Sequence, residues 1–110
     1  MIQASLRIVA SAERRDEILQ TFRSLIGPTE VKGGCLGCRF YQDVSDKNAL
    51  TYLEEWQTQE DLERHLRSDQ YRKLLALIDL SAAAPELRFH TISETSGIEY
   101  LATVRTLEDQ

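Results

Sequence analysis

Apolar and polar residues alternate from the start of the chain. Ile2, Ala4, Leu6 and Ile8 fall on one side and Gln3, Ser5 and Arg7 on the other, which predicts a strand with one apolar face. The period then changes. Ile18, Leu19, Phe22, Leu25 and Ile26 recur at helical spacing, with Ser11 placed to cap the helix and Gly27-Pro28 placed to stop it. Residues 29–34 read as a linker with room for one more helical turn. A second strand is predicted over 35–43, a turn at Ser45-Asp46-Lys47-Asn48, and a third strand over 49–56, so strands two and three form an antiparallel hairpin.

Thr58-Gln59-Glu60-Asp61 carries a capping-box signature and opens the next helix. Glu60 with Arg64, and Glu63 with Arg67, are spaced for ion pairs along its surface. Ser68-Asp69 breaks the pattern, and Tyr71, Leu74, Leu75 and Ile78 resume it until Ala82-Ala83-Ala84 and Pro85. Residues 86–93 alternate again, with Leu87, Phe89 and Thr91 against Arg88, His90 and Ile92. Residues 98–104 include Tyr100, Leu101 and Ala102 and are apolar and β-prone enough to predict one more strand.

The order β α β β α β, its second helix in two pieces, predicts an α+β fold of the ferredoxin-like split βαβ type: an antiparallel sheet with helices on one face. We assign that domain to residues 1–94 and treat 95–110 as a C-terminal extension. Large side chains stand on both faces of the third strand, with Leu50, Tyr52 and Trp56 against Leu53. A second copy covering the outer face therefore predicts a homodimer, the extension adding a strand at its interface.

At 110 residues the chain has room for one core, and its 42% hydrophobic and 28% charged residues fit a globular protein. A net charge of -5, with basic and acidic residues interleaved, argues against a nucleic-acid partner. The apolar runs are too short for a membrane span and the N-terminus lacks a signal-peptide pattern, so a cytoplasmic location is expected. Cys35 and Cys38 are the only cysteines, too few ligands for a structural zinc. Their place on a predicted strand, where positions three apart face opposite sides, disfavours a redox dithiol.

Chemistry concentrates in Leu53-Glu54-Glu55-Trp56, followed by Leu62, His65, Leu66 and Tyr71: an aromatic ring ends a strand and an imidazole follows about two turns into the next helix. Together with Gly34-Cys35-Leu36-Gly37 leading into the second strand, these residues resemble the antibiotic biosynthesis monooxygenase family of dimeric α+β barrels. The likeness runs from Ile2 to about Ser93.

The resemblance implies pockets between sheet and helices and a quinol-type monooxygenase activity. Dioxygen would oxidise a small electron-rich aromatic or quinol, without flavin, haem or metal. No phosphate-binding glycine loop or metal-ligand motif stands in the sequence. Electrons would then come from the substrate, and the protein would supply a base and a dry pocket. His65 is the candidate base, with Trp56 and Tyr71 as further catalytic candidates; Glu54, Tyr52, Phe22 and Leu62 are candidates for substrate binding. Glu54 and Glu55 alternate, so at most one of them faces the pocket. The first strand offers Gln3, Ala4, Ser5, Leu6 and Arg7 where the haem-degrading branch carries an Asn, so haem degradation is not expected. A cofactor-free isomerase of a sugar-phosphate-like metabolite and a non-catalytic small-molecule-binding module are the alternatives.

Overall fold

The computed structural model describes residues 1–108. Four strands, β1 (Ile2–Val9), β2 (Cys35–Gln42), β3 (Ala49–Trp56) and β4 (Glu86–Thr91), form one antiparallel sheet in the order β2-β3-β1-β4. Among the described residues four helices accompany the sheet: α1 (Arg15–Glu30), α2 (Gln59–Leu66), α3 (Tyr71–Asp79) and α4 (Ile98–Glu108). This is the expected ferredoxin-like arrangement. The alternation in β1 becomes a strict burial alternation, because Ile2, Ala4, Leu6 and Ile8 all face the helices.

Two clusters fill the space between sheet and helices. In the larger, Phe22 stacks on Phe40 and on Tyr52 while Leu74 and Leu77 of α3 close over them. The smaller packs Trp56 and Leu62 against Ile2 and Ala4, anchoring the start of α2 to the end of β3. Burying side chains of this size contributes roughly 1.5–3 kcal/mol each.

The helix ends differ from the sequence expectation in informative ways. The first helix runs through Pro28 to Glu30, because its last turn is held from outside: Thr29 is buried and its Oγ1 accepts from Gln70 Nε2 at 2.9 Å. Tertiary anchoring offsets the lost proline hydrogen bond. Ser11 does not cap this helix, whose N-cap is Arg14 with no side-chain cap bond. At α2 the cap forms as expected, with Thr58 Oγ1 accepting from the Asp61 backbone N–H at 3.2 Å and its hydroxyl donating to the Asp61 carboxylate at 2.8 Å. Arg64 pairs with Asp61 at 3.0 Å rather than with Glu60. In α3 it is Leu77 that turns inward, and Leu75 is exposed.

The expected strand over 98–104 is instead part of α4. The segment pairs with neither open edge of the sheet, at β2 or β4, and as a helix it satisfies its backbone groups internally. Local bonds reinforce it: Gly97 N–H donates to the Glu99 carboxylate, and the hydroxyls of Thr103 and Thr106 donate to the carbonyls of Glu99 and Ala102. Ile98, Tyr100 and Leu101 are exposed. Residues 109 and 110, the end of the extension assigned to 95–110, lie outside the described residues. Among the described residues no helix is long and apolar enough to cross a membrane.

Gly34 joins α1 to β2 with φ +85°, and its carbonyl accepts from Gln57 N–H at 2.8 Å, tying this junction to the end of β3. A Cβ placed there would fall on the Asp61 carboxyl group. Gly34→Ala is therefore expected to lower stability by roughly 1–3 kcal/mol, from the left-handed backbone and from displacement of Asp61. Urea unfolding checks this, and a midpoint equal to that of the unmodified chain would show the junction to be relaxed.

Candidate active site

The site grows from the alternation of β3. Tyr52, Glu54 and Trp56 point towards the helices while Leu53 and Glu55 point away, so Glu54 is the inward member of the acidic pair. Its carboxylate is only 2% exposed. Two donors serve it, one at each oxygen: Trp56 Nε1–H at 3.1 Å to Oε1 and His65 Nε2 at 2.9 Å to Oε2. Both partners are placed by local rules, Trp56 by lying two residues on along the same strand face and His65 by the register of α2 fixed at its Thr58 cap.

The imidazole of His65 is held on every side. Trp56 lies over it with ring centroids 4.7 Å apart, and Tyr71 meets it edge-on at 5.3 Å. On the far side from Glu54, Nδ1 lies 2.9 Å from Lys32 Nζ. Lys32 donates also to Ser68 Oγ at 3.0 Å, and the Ser68 hydroxyl donates to the His65 carbonyl at 2.7 Å. An ammonium can only donate and a carboxylate can only accept, so a charged Lys32 and an ionised Glu54 leave the neutral imidazole with its proton on Nε2. The result is a continuous chain from Glu54 through His65 to Lys32.

Beside this chain lies a cavity of about 300 Å³ lined by Lys32, Gly33, Trp56, Asp61, Arg64, His65 and Ser68. Trp56 and His65 are buried and form its floor, whereas Lys32, Asp61 and Ser68 are half-buried and Arg64 is exposed at the rim. Burial lowers the Lys32 ammonium pKa below that of an ordinary lysine, a shift opposed first by Glu54 and then by Cys35. Burial pushes the Tyr71 phenol up to about 12, and Glu54 adds to the rise.

Of the sequence candidates, His65, Trp56 and Glu54 come together in this constellation. Tyr71 packs edge-on against the imidazole and does not line the cavity. Tyr52, Phe22 and Leu62, expected to bind substrate, do not line this cavity. Tyr52 and Phe22 stack within the core, and Leu62 packs against Trp56 in the smaller cluster. The space between Tyr52, Glu54, His65 and Tyr71 is too narrow to hold a water molecule. Lys32 was missed, because it sits in a connection without periodicity, 33 residues from His65. Ser68 had a detectable signal, lying three residues after His65 and so on the same side of the turn. Among the described residues no three His, Cys, Asp or Glu side chains are grouped to hold a metal ion.

The cysteines depart from the expected geometry as well. A bulge between Cys35 and Gly37 sets Cys35 opposite Trp56 and Cys38 opposite Glu54, so both fall on one face of the sheet. Both are free thiols. Burial raises the pKa of each, that of Cys38 to about 12, a rise opposed by its hydrogen bond with Tyr52 Oη at 3.0 Å.

The sequence pattern of the antibiotic biosynthesis monooxygenase family matches residues 1–77, and the chain belongs to that family. It is 24% identical over 92 residues to an uncharacterized protein of Synechocystis sp., and the match covers 83% of this chain and 63% of that protein's length. Its fold is similar to that of a Deinococcus radiodurans protein provisionally named an antibiotic biosynthesis monooxygenase, with TM-score 0.79, 20% identity and coverage of 88% and 97% of the two chains. A conserved protein of Methanosarcina mazei is similar at TM-score 0.74 and 27% identity, with coverage of 81% and 89%.

The raised thiol pKa values predict slow alkylation of both cysteines at neutral pH, Cys38 more slowly than Cys35. Mass-spectrometric timing of iodoacetamide labelling tests this, and rapid modification of Cys38 in the folded protein would contradict its burial.

Proposed function

We propose that this chain is a cofactor-independent monooxygenase that oxidises a small electron-rich aromatic, such as a hydroquinone, with dioxygen. The observation that carries this reading is a buried imidazole, hydrogen-bonded to a buried carboxylate, that lines a cavity together with an indole ring. Oxidation of a hydroquinone begins most easily from its phenolate, which gives up an electron far more readily than the neutral phenol. Glu54 stabilises the imidazolium formed when His65 gains a proton, the role of the acidic member in carboxylate-histidine catalysis. One atom of dioxygen enters the ring and the other leaves as water, so a hydroquinone yields a hydroxylated quinone and the substrate supplies all the electrons.

Oxygen uptake with a panel of hydroquinones is the direct test. Replacing His65 with Ala is expected to lower kcat/KM by about a hundredfold or more and to remove a rise of rate with pH. Uptake equal to that of the unmodified protein would take His65 out of the reaction. Absence of uptake from every hydroquinone, with saturable binding retained, would favour a binding module.

We also propose that the working unit is a homodimer. Leu87 and Phe89 lie on the helix side of β4, opposite Leu6 and Ala4, yet remain 38% and 47% exposed. Ile98, Tyr100 and Leu101 of α4 present further apolar surface. A second copy of the chain would cover both. Sedimentation at micromolar protein should show a dimer, weakened by removal of the residues after Thr95. A monomer, or an equally stable truncated dimer, would contradict the proposal or its assignment to α4.

A further inference from the structure

We infer that Lys32 is the group that meets the substrate, and that Lys32, His65 and Glu54 form a relay that takes the proton of a phenolic hydroxyl and holds the oxyanion left behind. This rests on the reading of the site as one that ionises a phenol, and it names the atom that does so. The geometry gives the reason. Both ring nitrogens of His65 are engaged, Nε2 with Glu54 and Nδ1 with Lys32, and the ring is 3% exposed. A substrate in the cavity therefore reaches Lys32 before it reaches the imidazole. The ammonium has three N–H donors, of which two are used, by His65 Nδ1 and Ser68 Oγ.

The proton balance is simple. At rest the shared proton sits on Lys32 Nζ and is donated to Nδ1. Shifting it onto Nδ1 makes an imidazolium, which Glu54 stabilises through Nε2–H, and leaves a neutral amine facing the cavity. That amine turns its lone pair from Nδ1–H to the cavity, takes the phenol's proton and becomes an ammonium again, now paired with the phenolate and released from its bond to Nδ1. One O–H bond breaks, one N–H bond forms, and no electron moves. The depressed Lys32 pKa eases the inward shift. Glu54 from β3, Cys35 at the start of β2, and His65, Asp61 and Arg64 from α2 are the titratable and charged groups around it. Arg64 is drawn to Asp61 at 3.0 Å, which leaves Lys32 as the lining cation without a carboxylate in direct contact.

The relay makes the cavity selective for compounds with an ionisable hydroxyl on an aromatic ring. The probe is 4-nitrophenol, whose anion absorbs in the visible, titrated at a pH below its own pKa. Binding to the unmodified protein is expected to bring up the anion band. Lys32→Met should abolish the band and weaken binding by about 10- to 100-fold, the loss of one charge-assisted hydrogen bond. Binding as the neutral phenol, or an undiminished band in Lys32→Met, would overturn the inference.

A second measurement does not depend on that variant folding. In a ¹⁵N-histidine-labelled His90→Gln chain, His65 is the only histidine, and its ring nitrogens should move to imidazolium positions as 4-nitrophenol binds. Ring nitrogens that stay neutral would overturn the relay. If the anion band and the imidazolium appear but no hydroquinone consumes oxygen, the monooxygenase proposal fails while the relay stands.

Discussion

A carboxylate 2% exposed to solvent is the interaction on which the rest of the site depends. Removing such a charge from water costs several kcal/mol, and only close, well-directed donors offset it. Glu54 has two, one at each oxygen, and both come from aromatic groups that the fold cannot easily move. Trp56 is fixed because it ends β3 opposite Ile2 and packs on Leu62. His65 is fixed because the Thr58 cap starts α2 two residues after Trp56. The buried charge thus forces the strand end and the following helix into one relative position, and the cavity floor is a by-product of that requirement.

The same constraint explains the sharp junction on the other side of the cavity. Lys32 reaches His65 only if the chain leaving α1 turns tightly into β2, which the positive φ of Gly34 permits. The Gly34 carbonyl then receives Gln57 N–H, and Asp61 lies where a larger residue would place its Cβ. Backbone from the start of β2, the end of β3 and the start of α2 therefore converges within one small volume. The bulge at Cys35 follows the turn directly and brings both thiols to the helix side of the sheet, where burial makes them poor nucleophiles. In this pocket the ionisable chemistry belongs to the lysine, histidine and glutamate, with sulfur left to packing.

Much of this was legible in the sequence. Period-two and period-3.6 patterning placed all four strands and the three core helices, since those patterns are local consequences of having one face to bury. Thr58 and Asp61 announced the start of α2, and the Glu54, Trp56 and His65 grouping stood out because a strand end and a helix start are adjacent in the chain. What only the tertiary structure decided involves partners distant in sequence. Thr29 and Gln70 hold a helical turn that Pro28 alone would end. Ile98 to Val104 has a composition that suits a strand, but the segment pairs with neither open edge of the sheet, at β2 or β4, and its backbone satisfies itself as a helix. Phe22 and Tyr52 stack on each other in the core and do not line the cavity, an arrangement that joins α1 to β3 across 30 residues of sequence. Lys32 belongs to no periodic segment, and its role exists only because a turn at Gly34 brings it within 2.9 Å of an imidazole 33 residues away, a contact set by packing rather than by pattern.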